Sequence, residues 1–191
     1  MAVVSASSIA PTTRTCSPNN RRGRRELLMK CYAYLDIETT GLSRKFSELT
    51  VIGVALVRGP EMLVEQMIGG DICAARLFDV LQGVDELYTY NGSRFDLPFI
   101  KAKLGVDLRQ YTRHTDLMYH CWKQNLKGGL KAVERQLDIG RTLSEVNGYM
   151  AVRLWWQYIN DGDERALETL LEYNREDVLN LQELRCKLGV A

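Results

Sequence analysis

The segment from residue 31 to residue 70 constrains the fold more than any other part of the chain. Three β-rich runs follow one another there with only turn signals between them. CYAYLDI (31–37) is short and aromatic-rich, LTVIGVALVRG (49–59) is a β-branched run that stops at Gly59-Pro60, and MLVEQMIGG (62–70) resumes just beyond it. Such runs, bounded by Gly and Pro, read as strands of an antiparallel meander. Helical spacing appears next at 71–83, with Asp71 at its start and Gly83 at its end. ELYTYNG (86–92) is a fourth strand, and DLPFIKAKLG (96–105) is a helix with Pro98 in its first turn and Gly105 at its stop. A short strand is expected near Val106–Arg109. Beyond Thr115 the pattern is helical, over 116–124, 129–138, 144–160 and 163–188. Strands first, helices later, with an early crossover helix, predict an α/β fold. Its central sheet is mixed, an antiparallel meander plus parallel strands, and is flanked by helices.

Composition sets bounds on this reading. The chain has 191 residues, 46% hydrophobic and 26% charged, enough for one core without staples. No apolar run approaches the roughly 18 residues of a membrane-spanning helix, and no short repeat suggests a solenoid. Five cysteines, at 16, 31, 73, 121 and 186, include no C-x-x-C pair, which argues against a disulfide framework and a structural zinc site. Reduced cysteines fit a cytoplasmic protein. The net charge of +1 conceals a split, since residues 1–31 carry +5 and the remaining 160 carry −4. The body is mildly acidic, so its bulk charge does not advertise nucleic-acid binding.

Residues 1–30 are rich in Ser, Thr, Pro, Asn and Arg and show no period. Two readings stay open: a disordered basic leader, with the Arg- and Ser-rich, acid-poor composition of organellar transit peptides, or residues upstream of a natural start at Met29. Residues 31–191 form the expected folded domain.

Three short constellations carry the chemistry. In a strand, Asp36 and Glu38 project to the same side, while Cys31, Ala33, Leu35 and Ile37 form the opposite, apolar face. Two adjacent carboxylates repel unless a positive charge lies between them, and a hard divalent cation such as Mg²⁺ or Mn²⁺ suits oxygen ligands. The plain alternative is two exposed acids at a strand end. In YNGSRFDLPFI (90–100), Asn91-Gly92 ends a strand and Asp96 opens a helix. Asp96 reads either as a cap or as a site carboxylate at the carboxyl edge of the sheet. In EYNREDVLNLQEL (172–184), Tyr173 and Asp177 lie four apart and share a helix face.

Together, YLDIETTGLS, YNGSRFDLPFI and YNREDV, in that order over about 140 residues, resemble the DEDD exonuclease superfamily, which has the ribonuclease H-like fold. More narrowly, the chain is similar to the YprB-like predicted exonucleases and to the proofreading domain of family-B DNA polymerases. The resemblance covers residues 31–188. It implies a 3′–5′ exonuclease that releases nucleoside 5′-monophosphates from single-stranded DNA or RNA, with Asp36, Glu38, Asp96 and Asp177 holding two Mg²⁺ or Mn²⁺ ions. Removing these four acids would leave the body with 19 basic and 19 acidic groups. Tyr173 would orient the attacking water. The sister subclass has His five residues before the last Asp; Glu172 stands there, which places the chain in the tyrosine type.

The same resemblance gives Thr39, Thr40, Gly41 and Leu42 to the terminal nucleotide, with Leu42 against its base. Asn91 and Phe95 are further candidates for strand contact, although Phe95 and Phe99 suit core packing. Lys123, Lys127, Lys131 and Arg135 recur at four-residue steps and suit either phosphates or a solvated face. The aromatics of LWWQY (154–158) read as core, and His114 and His120 as structural or surface residues. Two other functions fit the same pattern: a catalytically silent nucleic-acid or protein-binding module, and an RNA-trimming nuclease similar to ribonuclease D. Any polymerase or helicase served by the chain would be a separate partner.

Overall fold

The computed structural model describes residues 30–190; the leader, apart from Lys30, lies outside the described residues. Five strands form one sheet: β1 (Cys31–Thr39), β2 (Leu49–Arg58), β3 (Glu61–Ile68), β4 (Glu86–Thr89) and β5 (Arg113–Asp116). Their order is β3-β2-β1-β4-β5. The meander β1-β2-β3 is antiparallel, whereas β4 and β5 add in parallel on the other side of β1. The mixed sheet follows the expectation from sequence. Six α-helices accompany it among the described residues: α1 (Ala74–Val80), α2 (Asp96–Leu104), α3 (Leu117–Lys123), α4 (Leu130–Gln136), α5 (Gly148–Asp161) and α6 (Glu164–Leu188). No helix is long and apolar enough to cross a membrane among the described residues.

Strand parity divides the core. Ala33, Leu35 and Ile37 of β1, with Ile52, Val54 and Leu87, pack against Leu77 of α1 and against Leu97, Phe99 and Ile100 of α2. The other face carries Tyr34, Ala55 and Tyr88 under α3, α4 and the long helix α6, which contributes Val178, Leu181, Leu184 and Leu188. A third cluster joins Val51 of β2 to Trp155 of α5 and to Leu170 and Tyr173 of α6. Trp155 is therefore core, as expected of LWWQY, while Trp156 points outward. Each fully buried Val, Leu, Ile, Phe or Met side chain in these clusters contributes roughly 1.5–3 kcal/mol.

Helix starts follow side-chain capping. Asp116 accepts a hydrogen bond from the Met118 amide, Asn147 from Met150, and Asp163 from Arg165 and Ala166, each satisfying an otherwise unpaired amide. The strand expected near Val106–Arg109 does not form. Asp107 accepts from the Arg109 amide and caps a single 3₁₀ turn, Leu108–Gln110, and the strand comes afterwards as Arg113–Asp116.

One close approach sets how α6 lies on the sheet. Asp36 of β1 pairs with Gly53 of β2, and a Cβ on Gly53 would stand 2.1 Å from Oδ1 of Asn174 on α6. Only glycine admits the helix at that point. We expect Gly53→Ala to destabilise the protein by about 1–3 kcal/mol or more, measured by urea unfolding, with Gly70→Ala, which meets nothing within 4 Å, close to neutral.

Candidate active site

Asp36 and Glu38 stand at the carboxyl end of β1, on the face covered by α6. The register shifts between Glu38 and Thr39, so Thr50 of β2 is the extra residue of a bulge. Bulges bend a strand and re-aim its side chains. Here the bulge follows Glu38 directly and turns the chain into the loop of Thr39, Thr40, Gly41 and Leu42. The loop is closed by the Thr40 amide on the Glu48 carbonyl and by the Glu48 amide on Thr40 Oγ1, both at 2.9 Å. Thr39 Oγ1 donates to the Gly41 carbonyl at 2.8 Å. The loop holds Leu42 out, 85% exposed.

Asp177 arrives from α6. One oxygen each from Asp36, Glu38 and Asp177 can be chosen so that all lie within 4.8 Å of one another. Glu38 and Asp177 are buried and Asp36 is half-buried. Asn174, one turn before Asp177 and fully buried, donates to the carbonyl and to Oδ2 of Asp36. Its own oxygen accepts from Gln66 of β3 at 2.9 Å. Sequence reading missed Asn174, although it sits inside the YNREDV motif, because its role depends on β2 and β3 lying beneath α6.

Asp96 behaves differently from a cap. It is the first residue of α2, and its carboxylate reaches back to accept the Ile37 amide of β1 at 3.2 Å. The turn that carries it is tightly specified. Asn91 adopts a left-handed conformation, with φ of 62°, and a Cβ on Gly92 would clash with Thr89 at 2.3 Å. Asp116 fixes the turn by accepting the amides of Asn91 and Ser93 at 2.8 and 3.0 Å. Asp96 thus lines the same cleft as the other three acids, without belonging to the tightest trio.

The electrostatics follow from this crowding. Burial, then the charges of Asp177 and Asp96, push the Asp36 and Glu38 carboxyls well above the usual carboxylate range. Burial raises Asp96 to about 7 and Asp177 to about 6, the latter held down by the Arg141 guanidinium. Burial and the nearby carboxylates also raise the Tyr173 hydroxyl far above its ordinary value, so it keeps its proton at neutral pH. Such a set of oxygen donors, mutually repelling and partly dehydrated, suits a hard divalent cation.

The cleft has a volume of about 560 Å³, and its walls are unequal. Leu42, Phe95, Tyr149 and Val152 make one side apolar. Tyr149, 74% exposed at the start of α5, was not singled out from sequence, where an outward aromatic in a helix gives no distinct signal. A second cavity meets the first at Asp36, Asn91, Tyr173 and Asp177 and runs past Gly128, Lys131 and Arg135. Of the basic series, Lys131 and Arg135 line this second opening; the Lys131 ammonium lies 4.7 Å from the Tyr173 ring centre. Lys123 and Lys127 are exposed and line neither opening. His114 is engaged by Thr89 Oγ1 at 2.8 Å and stands apart from the acid trio, as expected; His120 is likewise outside it.

The family model of the RNase H superfamily matches residues 33–188. The chain belongs to that superfamily. The Bacillus subtilis (strain 168) protein YprB is 28% identical over 163 residues, which cover 78% of this chain and 39% of that protein. The chain therefore spans about two-fifths of the length of this relative. Among solved structures, the family B DNA polymerase from Pyrobaculum calidifontis matches with a TM-score of 0.65 and 19% identity, over 84% of this chain and 24% of the polymerase. Brucella melitensis NrnC bound to pGG matches with a TM-score of 0.56 and 22% identity, over 83% and 71%. NrnC with bound Mg²⁺ gives 0.53 and 23%, over 83% and 71%. These likenesses establish a shared ribonuclease H-like fold.

A carboxyl whose folded pKa is raised above its unfolded value holds its proton more tightly when folded, so stability is fullest at low pH and falls as pH rises. For Asp96 and Asp177 the fall runs from the ordinary carboxylate value of 3.8 up to about 6–7. We expect the metal-free protein to melt several degrees lower at about pH 7.5 than at about pH 5, at roughly 2–4 °C per kcal/mol. Asp96→Asn should flatten this slope, and saturating Mn²⁺ should raise the melting temperature at the higher pH. Differential scanning calorimetry checks all three.

Proposed function

We propose that the chain is a metal-dependent 3′–5′ exonuclease that hydrolyses phosphodiester bonds at single-stranded 3′ ends and releases nucleoside 5′-monophosphates. The observation that carries this reading is the convergence of Asp36, Glu38 and Asp177 within 4.8 Å, inside a cleft that Asp96 and Tyr173 also line. The four carboxylates would hold two Mg²⁺ or Mn²⁺ ions. When bound, such ions activate a water and neutralise charge on the leaving oxygen. NrnC, which shares the fold, is seen with Mg²⁺ and with pGG, which supports this class of ligand.

The remaining roles fall to groups of the chain itself. Tyr173 holds its phenolic proton firmly. It therefore serves as a hydrogen-bond donor that orients the attacking water, and not as its base. Asn174 steadies Asp36 through two contacts of 3.3 Å. Leu42 and Tyr149 offer exposed apolar surface on the cleft wall for the terminal base, a contact that reads stacking instead of sequence. Thr39, Thr40 and Gly41 bring backbone to the sugar, and Asn91 faces both openings.

The test uses 5′-labelled single-stranded DNA and RNA oligonucleotides with Mn²⁺, Mg²⁺ or chelator. The expected result is a metal-dependent ladder that shortens from the 3′ end. Asp36→Ala should abolish it while melting no lower than the wild type, because one repelling carboxylate is gone. Tyr173→Phe should retain activity reduced by about 10- to 100-fold, the contribution of one hydrogen bond of roughly 1.5–3 kcal/mol. Intact oligonucleotides under every condition, with a folded protein that binds no metal, would overturn the reading in favour of a binding module.

A further inference from the structure

Arg141 appears in none of the three motifs, yet its side chain is only 6% exposed and lies beside Asp177. Its Nε donates to Glu134 Oε2 at 2.9 Å, and its Nη2 to Glu134 Oε1 at 2.7 Å. The same Nη2 donates to Asp177 Oδ1. We propose that Arg141 is a positioning residue of the metal site: its planar fork, anchored on Glu134, fixes one oxygen of Asp177 and so sets how that carboxylate is presented to the ion. The inference rests on the metal-dependent reading above.

Three observations favour a fixed clamp over a loose counter-ion. First, the guanidinium has no freedom to swing. The segment that bears it is tied to α6 by the amides of Thr142 and Leu143, which donate to Glu176 at 2.6 and 3.0 Å. Asn180 adds bonds to Glu134 Oε1 and to the Gly140 carbonyl at 3.0 and 3.1 Å. Second, Arg141 is matched locally by charge. Glu134 takes two of its donors and Glu176 stands 3.8 Å from Nη1, so one positive charge is shared among three carboxylates, Asp177 included, and does not neutralise the group against a cation. Third, Nη1 is buried with no hydrogen-bond acceptor among the described residues. The guanidinium is oriented to serve Asp177 and Glu134 at the expense of its own third corner, a geometry that a flexible ammonium cannot reproduce.

Groups that orient a metal ligand from behind typically govern affinity by about 10- to 100-fold. The test is calorimetric titration of the metal-free protein with Mn²⁺, comparing wild type, Arg141→Lys, and Arg141→Gln combined with Glu134→Gln, which also removes the charge of the acid that takes two of the guanidinium's donors. Both variants are expected to bind Mn²⁺ about 10- to 100-fold more weakly than wild type, while their melting temperatures in chelator show them folded. A purely structural role would lower the melting temperature and leave affinity unchanged; that result overturns the proposal. Wild-type affinity in Arg141→Lys also overturns it, since charge alone would then suffice, and so does tighter binding in the double variant, which would make Arg141 a competitor of the ion. If the double variant does not fold, Arg141→Lys decides alone. Absence of Mn²⁺ binding by the wild type overturns the metal reading itself, and this inference with it.

Discussion

Four carboxylates, delivered by β1, α2 and α6, face one cleft, and their mutual repulsion is the constraint around which the rest of this structure is arranged. Bringing buried like charges together costs free energy that no local hydrogen bond fully offsets. The fold accepts that cost because three apolar clusters hold the contributing elements on independent grounds. Val178, Leu181, Leu184 and Leu188 would keep α6 on the sheet without Asp177, and Leu97, Phe99 and Ile100 would keep α2 without Asp96. Glu38 and Asp96 stand at the ends of their elements, and Asp177, midway along α6, is held by the apolar residues that follow it on the same helix.

Charge around the site is balanced in a graded way. Lys131 and Arg141 are the cations that act on the acid cluster, and Glu134 and Glu176 lie beside them. Two cations with two further carboxylates leave the four cleft carboxylates uncompensated by the protein. Lys131 is held near the carbonyls of Leu143 and Ser144 and over the Tyr173 ring, and burial lowers its pKa. It softens the repulsion without closing an ion pair on Glu38 or Asp36. A site organised in this way is poorly matched to itself and well matched to a small, highly charged ligand.

Much of this was legible in the sequence because it is local. Period-two alternation in β1 placed Asp36 and Glu38 opposite Ala33, Leu35 and Ile37, and the structure keeps that division. Four-residue spacing placed Tyr173 with Asp177. What escaped was set by packing between distant segments. The Asp36–Asn174 contact spans 138 residues, and Arg141 reaches Asp177 across 36; neither follows any local period. Gly53 reads as one weak position in a β-branched run until β1 pairs with it and α6 lies across it. Asp96 was ambiguous for the same reason. At a helix start an acid is ordinarily a cap, and only the parallel placement of β4 beside β1 brings the Ile37 amide within its reach. The misplaced strand at 106–109 failed on side-chain chemistry, since Asp107 satisfies its own backbone and ends extended pairing there.

The two openings that meet at the acids bear on the direction in which a polymer would lie. Leu42, Phe95, Tyr149 and Val152 give one mouth flat, uncharged surface suited to a base, and Lys131 and Arg135 give the other a positive wall suited to phosphates. Under the proposed reaction the terminal nucleotide needs a snug apolar seat, because it must be held while its bond is cut. The upstream strand needs only loose electrostatic guidance, because it must advance afterwards. Among the residues that line the two openings, the basic side chains Lys131 and Arg135 belong to the second alone, so under the proposed reaction attraction within the cleft would act on the path of the strand and not on the seat of the terminal base.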